Sequence, residues 1–213
     1  MTRVVLASTS PARLILLRNG GIEPVTMAPL VDEEELTAVA TASGLIKNTD
    51  DMVLLLARAK AEAVAKRPEA AGAIVIGCDS SLEFEGESLG KPHLPEVAEA
   101  RWKAMRGKSG RLFSGHWVID NRNVDSADGS APAVGRASHA TVHFANLTDA
   151  EIAAYVATGE PLKVAGAFTI DGLGGAFLRG IEGDPHTVVG LSLPVLRELV
   201  IELGIEYPSL WNR

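Results

Sequence analysis

The segment Leu6-Ala-Ser-Thr-Ser-Pro-Ala-Arg13 completes an apolar run that begins at Val4, and its residue types suit anion binding. A strand that delivers a Ser/Thr-rich turn to a helix N-terminus presents unpaired N–H groups and the positive end of the helix dipole. Ser8 and Ser10 add hydroxyl donors. Arg13, one turn inside, adds a forked guanidinium that matches phosphate oxygens. The plainer alternative is that Ser10 caps the helix, Pro11 fills its first position and Arg13 is solvated. Spacing alone leaves both open.

A second signal is Ile74-Val-Ile-Gly-Cys-Asp79, an apolar strand ending in a carboxylate. Open α/β sheets bind ligands at the carboxyl ends of their strands, where such an Asp can hold Mg²⁺ or act on a water. A cap or turn carboxylate is the bland counterpart. Lys91, between Gly90 and Pro92, is a loop lysine with restricted neighbours, a better functional candidate than a lysine on an open helix. Lys60 lies on a helix among Lys47, Arg58 and Lys66, and by default it is a surface residue. The run Asp32 to Glu35 can supply a metal ligand, yet a charge run is usually a solvated face.

Other chemistries find little support. Gly172-Leu-Gly174-Gly175 lacks the third glycine of a dinucleotide loop and no helix start follows it. His93, His116, His139, His143 and His186 show no zinc-type spacing, although His139 and His143 can share a strand face. There is no Gly-x-Ser-x-Gly elbow, and Cys78 has no neighbouring His in sequence. Trp102, Trp117 and Trp211 read as packing residues. The remaining inventory of an anion-binding helix start, a strand-end Asp, lysines and spare carboxylates suits a metal-bound polyphosphate better than a neutral substrate.

These side chains need a scaffold. Residues 4–7 read as a buried strand leading into a helix that Gly20-Gly21 ends, and 22–27 alternates like a second strand. Residues 28–48 read as a surface loop with about one helical turn. Thr49-Asp50-Asp51 opens a long helix to about Lys66. Residues 73–77 form a strand, and Gly86 turns a hairpin joining 80–84 to 87–89. Pro95 opens a helix to Met105 that Gly107 stops. Residues 112–120 and 137–144 read as strands joined by a mobile loop over 121–135. Thr148-Asp-Ala-Glu151 is a capping box opening a short helix, and 193–203 is the last helix. Strands alternating with helices indicate an α/β protein.

Length and composition agree. With 213 residues the chain is expected to form one domain, 1–213, with two lobes. The net charge of −7, from 20 Lys+Arg against 27 Asp+Glu, argues against a general nucleic-acid binder. A single cysteine forms no internal disulfide, which fits a reducing compartment. No apolar run approaches the ~18–20 residues needed to span a membrane, and Ser8 to Ser10 interrupt any signal-peptide core. A cytoplasmic protein that binds neither nucleic acid nor membrane is expected.

The motifs also occur together in a known family. In order, Leu6-Ala-Ser-Thr-Ser-Pro-Ala-Arg13, Val31-Asp-Glu33, Leu56-Ala-Arg-Ala-Lys60-Ala, Ile76-Gly-Cys-Asp79 and Leu89-Gly-Lys91-Pro92 resemble the Maf (septum-formation-inhibitor-like) proteins. The likeness continues through Leu147-Thr-Asp-Ala-Glu-Ile-Ala-Ala-Tyr155, Gly159-Glu-Pro161, Ala165-Gly-Ala-Phe168, Gly172-Leu-Gly-Gly175 and Val188-Val-Gly-Leu191, leaving out only 121–135.

That resemblance implies an elongated α/β fold like that of inosine triphosphatases: a mixed sheet with flanking helices and two lobes around a deep cleft, often paired as a homodimer. It implies hydrolysis of a nucleoside triphosphate to the monophosphate and pyrophosphate with a divalent metal, Mg²⁺ or Mn²⁺. By motif position Asp79 matches the proton acceptor, while Ser8, Arg13, Glu33, Lys60 and Lys91 match other site positions, with Glu33 and Asp79 on the metal side. The likeness thus raises Lys60 and Glu33 above their standing as lone residues. Two positions depart from the family: Ala12 stands where Arg is frequent, and Asp171 stands where pyrimidine-type members carry Gln and methylguanosine-type members carry Glu. Ile170-Asp-Gly-Leu-Gly-Gly is closer to the dTTP/UTP type, so a pyrimidine preference is expected, with Asp171 at the base. An ionised Asp cannot donate a hydrogen bond as an amide can. The competing expectations are a nucleotide-binding regulator of division without turnover, and an enzyme that cuts at the γ-phosphorus.

Overall fold

The structure, a computed structural model, describes residues 2–122 and 131–213. β1 (Val4–Ala7) is buried along its whole length, as a continuous apolar run between two neighbouring strands should be. It pairs in parallel with β2 (Val25–Thr26) on one side and β3 (Ile74–Phe84) on the other, where Val4 sits opposite Ile74 and Ala7 opposite Gly77. α1 (Pro11–Asn19) joins β1 to β2. Ser10 caps it by accepting from the Arg13 N–H, and Pro11 occupies the first turn. β2 is shorter than the expected 22–27, because Pro24 has no N–H for the ladder and the Glu23 N–H is taken by Asn212.

The remaining strands are β4 (Glu87–Leu89), β5 (Ser109–Asp120), β6 (Ala133–Phe144) and β7 (Leu178–Glu182). Among the described residues they form one seven-stranded mixed sheet in the order β2-β1-β3-β5-β6-β7, with β4 antiparallel to the end of β3. The helices that flank these strands complete the expected α/β class.

Two compact units are distinguished. The first comprises Met1–Asp79, Ser114–Ser138 and Gly190–Arg213. It holds α1, α2 (Glu33–Ala42), α3 (Thr49–Ala65) and α7 (Leu193–Glu202), and a core that includes Val5, Ala61, Val64, Val75 and Ile119. The second comprises Ser80–Phe113 and His139–Val189, with α4 (Pro95–Met105), α5 (Asp149–Ala157) and α6 (Pro185–Val189). Its core surrounds Trp102, whose ring meets Phe144, Tyr155 and Phe177 edge-on at 5.6, 5.5 and 6.1 Å.

Three sequence expectations are corrected. Residues 28–48 are not mainly loop: Asp32 caps α2 by accepting from Glu35 N at 2.9 Å, and Glu33, Glu34 and Glu35 fill a first turn whose dipole favours negative charge. Residues 73–77 and 80–84 are not separate strands but one, β3, whose hairpin to β4 turns through Glu85 and Gly86, both at positive φ. Of the 121–135 loop, 123–130 lies outside the described residues. At its two ends, Asn121 is buried with its side-chain amide donating to the carbonyls of Ala65 and Ala70, and Gly135 belongs to β6 rather than to a loop.

Candidate active site

In the first unit, helix α3 rests directly on the strands. A Cβ on Gly77 would collide with the Ala57 carbonyl oxygen and lie 2.8 Å from Ala61 Cβ, and one on Gly115 would collide with the Val53 carbonyl. Val53, Ala57 and Ala61 recur every fourth residue, so one helical face meets β5 and β3 at positions with no side chain in the way. Lys60 shares this approach and is therefore buried, at 6 % exposure, where its sequence context alone suggested a surface residue.

Its ammonium donates to Asp79 Oδ1 at 2.7 Å and reaches Glu33 Oε1 at 2.9 Å. Asp79 is itself buried, and Glu33 stands at the exposed start of α2. Burying Asp79 without a cation would be costly, and Lys60 offsets that cost. One ammonium between two carboxylates leaves the trio one negative charge in excess.

Arg13 is tied into the same neighbourhood. Its Nη1 donates to Ser8 Oγ at 3.3 Å and to the Cys78 carbonyl at 3.0 Å, and its Nε donates to the Gly190 carbonyl at 2.8 Å. Ser8 Oγ also accepts from Ser10 N at 3.1 Å. The capping reading therefore holds for Ser10, while Arg13 is half-buried rather than solvated and anchors the turn to the residue preceding Asp79. Cys78 is fully buried, which pushes its thiol up to about 11 and keeps it protonated.

The structure thus brings Ser8, Arg13, Glu33, Lys60 and Asp79 together in the first unit. Lys91 and Asp171 belong to the second, and both are exposed. The backbone beside Lys91 is fixed, because the Gly90 carbonyl accepts from Arg101 Nη1 at 2.6 Å and from Gly166 N at 3.3 Å.

The Maf-like protein family model matches residues 3–203. The chain belongs to the Maf family. A relative from Leifsonia xyli subsp. xyli, 56 % identical over 99 % of this chain and 97 % of its own, bears the name nucleoside triphosphate pyrophosphatase. Relatives from Streptomyces avermitilis (49 % identical; 99 % of this chain, 95 % of theirs) and Streptomyces coelicolor (50 %; 98 % and 94 %) bear the same name.

In this Maf chain two contributors to the cluster lie inside the family motifs with no role assigned by them: Gly77 in Ile76-Gly-Cys-Asp79 and Gly190 in Val188-Val-Gly-Leu191. An isolated glycine inside an apolar strand signals close backbone approach, so Gly77 could have been found. For Gly190 nothing local in the sequence shows that its carbonyl accepts from Arg13. Among the described residues no group of three or more His, Cys, Asp and Glu side chains is placed to hold a metal. Asp79 and Glu33 nevertheless present hard carboxylate oxygens around one point. Mg²⁺ commonly takes one or two carboxylates, keeps waters and draws its other ligands from substrate phosphates, so this donor set fits a cation that arrives with a triphosphate.

Proposed function

We propose that this Maf-family chain is a nucleoside triphosphate pyrophosphatase. The observation that carries the reading is the buried Lys60 ammonium shared by Asp79 and Glu33, beside the Ser8–Arg13 turn, in a chain whose relatives bear that name. A water oxygen attacks the α-phosphorus, the Pα–O–Pβ anhydride bond breaks, and pyrophosphate leaves with the bonding pair. Asp79 accepts the proton from the attacking water. Lys60 holds the Asp79 carboxylate in place, and with Arg13 and the Ser8 hydroxyl it stabilises charge on phosphate oxygens. Asp79 and Glu33 are the residues that would hold a divalent cation, Mg²⁺ or Mn²⁺, which when bound neutralises the triphosphate.

Lys91 is read as a phosphate-binding residue and Asp171 as the residue at the base, with pyrimidine triphosphates such as dTTP and UTP preferred. These two roles rest on family resemblance. Removal of aberrant nucleotides, arrest of division, a cytoplasmic location, one functional domain over 1–213 and pairing as a homodimer belong to the same proposal. The decisive experiment is a panel of standard and modified triphosphates with Mg²⁺ or Mn²⁺, with all phosphorus products identified. Monophosphate plus pyrophosphate is expected, strongest with pyrimidines, and is lost in a folded Asp79→Asn variant. Nucleoside diphosphate plus phosphate, or binding without turnover, overturns the activity. Strongest turnover of 7-methyl-GTP overturns the base preference.

A further inference from the structure

Glu160, in the second unit, carries more hydrogen bonds on its carboxylate than a surface turn requires. Its Oε1 accepts from Thr169 Oγ1 at 2.7 Å, Tyr155 OH at 2.8 Å and Gly174 N at 3.0 Å, and its Oε2 accepts from Leu173 N at 3.0 Å. Neutral donors alone supply these four bonds. The glycines next to it are shaped around it. A Cβ on Gly172 would stand 2.6 Å from Glu160 Oε2, and one on Gly174 would collide with the Tyr155 hydroxyl. The motif Gly172-Leu-Gly174-Gly175, which resembled a dinucleotide loop only superficially, therefore serves to let one carboxylate approach the backbone. Glu160 is fixed in turn, because its own N–H donates to Thr158 Oγ1 at 3.2 Å.

The bonds fall on both sides of Asp171: Thr169 precedes it, and Leu173 and Gly174 follow it. We infer that Glu160 is the positioning residue for base selectivity, pinning both flanks of the segment so that the side chain at 171 stands at one place. The inference rests on the reading of Asp171 given above. A recognition side chain on an exposed segment discriminates only if it is held to within about 0.5 Å, and a network with every member satisfied supplies that rigidity.

The test uses the full chain and the variants Glu160→Gln, Glu160→Asp, Thr169→Val and Asp171→Ala. Steady-state kinetics with dTTP, UTP, dATP and GTP are combined with amide hydrogen exchange. In Glu160→Gln the Leu173 and Gly174 amides should exchange at least tenfold faster, while the Glu151 amide, capped by Thr148 Oγ1, stays as it was. Pyrimidine-over-purine discrimination should fall about tenfold, with the loss in KM rather than kcat. Thr169→Val removes one donor and should give a smaller shift of the same kind, which keeps the test open if Glu160→Gln folds poorly. Glu160→Asp should restore part of the discrimination.

If Asp171→Ala alters discrimination and neither Glu160→Gln nor Thr169→Val does, the positioning role is overturned and the reading of Asp171 survives. If the Glu160 and Thr169 variants alter it and Asp171→Ala does not, the positioning role stands and the base reader is another residue of the held segment. Unchanged exchange at Leu173 and Gly174 overturns the inference outright.

Discussion

Gly77 of β3 lies so close to the Ala57 carbonyl of α3 that a methyl group has no room between them. That approach places Lys60 against Asp79, so the site depends on an atom that is missing. Gly77→Ala must push the helix off the strand, and overpacking of this kind costs about 3 kcal/mol or more where backbone is the obstacle. Urea unfolding should show that loss. In protein that remains folded, pyrophosphate release should also fall, because Lys60 recedes from Asp79. Parental stability in the variant would mean that the helix is free to shift.

Lys60→Met strands the Asp79 carboxylate in a buried place without its ammonium. Removing one partner of a buried pair typically costs about 3–5 kcal/mol, chiefly through the charge left behind. Turnover should fall roughly 100-fold, the scale for losing one preorganised electrostatic donor. The double variant Lys60→Met/Asp79→Asn separates the two effects. It should recover roughly 1–2 kcal/mol relative to Lys60→Met, since a neutral amide tolerates burial better, while activity stays absent. A double variant no more stable than the single one would show that Asp79 is well solvated.

The pattern of what the sequence disclosed follows from the range of the interactions. Ser10 capping α1, the Thr148–Glu151 box and the Glu85-Gly86 hairpin are set by residues within a few positions of one another, and each was legible. The α2 helix is hidden in the sequence because its acidic first turn has the composition of a solvated charge run, although Asp32 and Glu35 stand at capping distance. Lys60 was undervalued for a different reason. Nothing near it in sequence records that Gly77 and Gly115 clear a path for its helix. The family motifs pointed to Lys60 by position, and the packing supplies the physical cause. Glu160 stands inside the Gly159-Glu-Pro161 motif, but its role has no sequence signal, because its partners Thr169, Leu173 and Gly174 reach it only through the fold.

Cys78 offers a simple check on the packing beneath Asp79. Its thiol is fully buried and pushed up to about 11, so at pH 8 it is protonated and out of reach. Native protein should resist a thiol reagent for as long as it stays folded and react fully in denaturant. Rapid modification of the native protein would show that the middle of β3, next to Asp79, opens readily.

Stability should depend on pH through the Glu160 network. Burial pushes this carboxyl up, but the hydrogen bonds from Thr169, Gly174, Leu173 and Tyr155 outweigh burial and hold it below its ordinary value of 4.5. A depressed carboxyl contributes stability that is fully present above its unfolded value and is lost as pH falls through the folded one. Tyr155 acts at the other end. Burial first, then the bond to Glu160, raises its phenol above the ordinary 10, so its contribution is lost as pH climbs past that range. At pH 7, Glu160→Gln should cost roughly 1–2 kcal/mol, because solvent screening at this half-buried carboxylate trims the value of its charged hydrogen bonds. The gap between the variant and the parent should narrow as the pH falls from 4.5 through the lowered value at which the parental carboxylate takes up its proton. Melting curves at pH 7 and pH 3 measure that gap directly. An equal gap at both would mean that the charge on Glu160 contributes nothing and that its shape alone holds the turn.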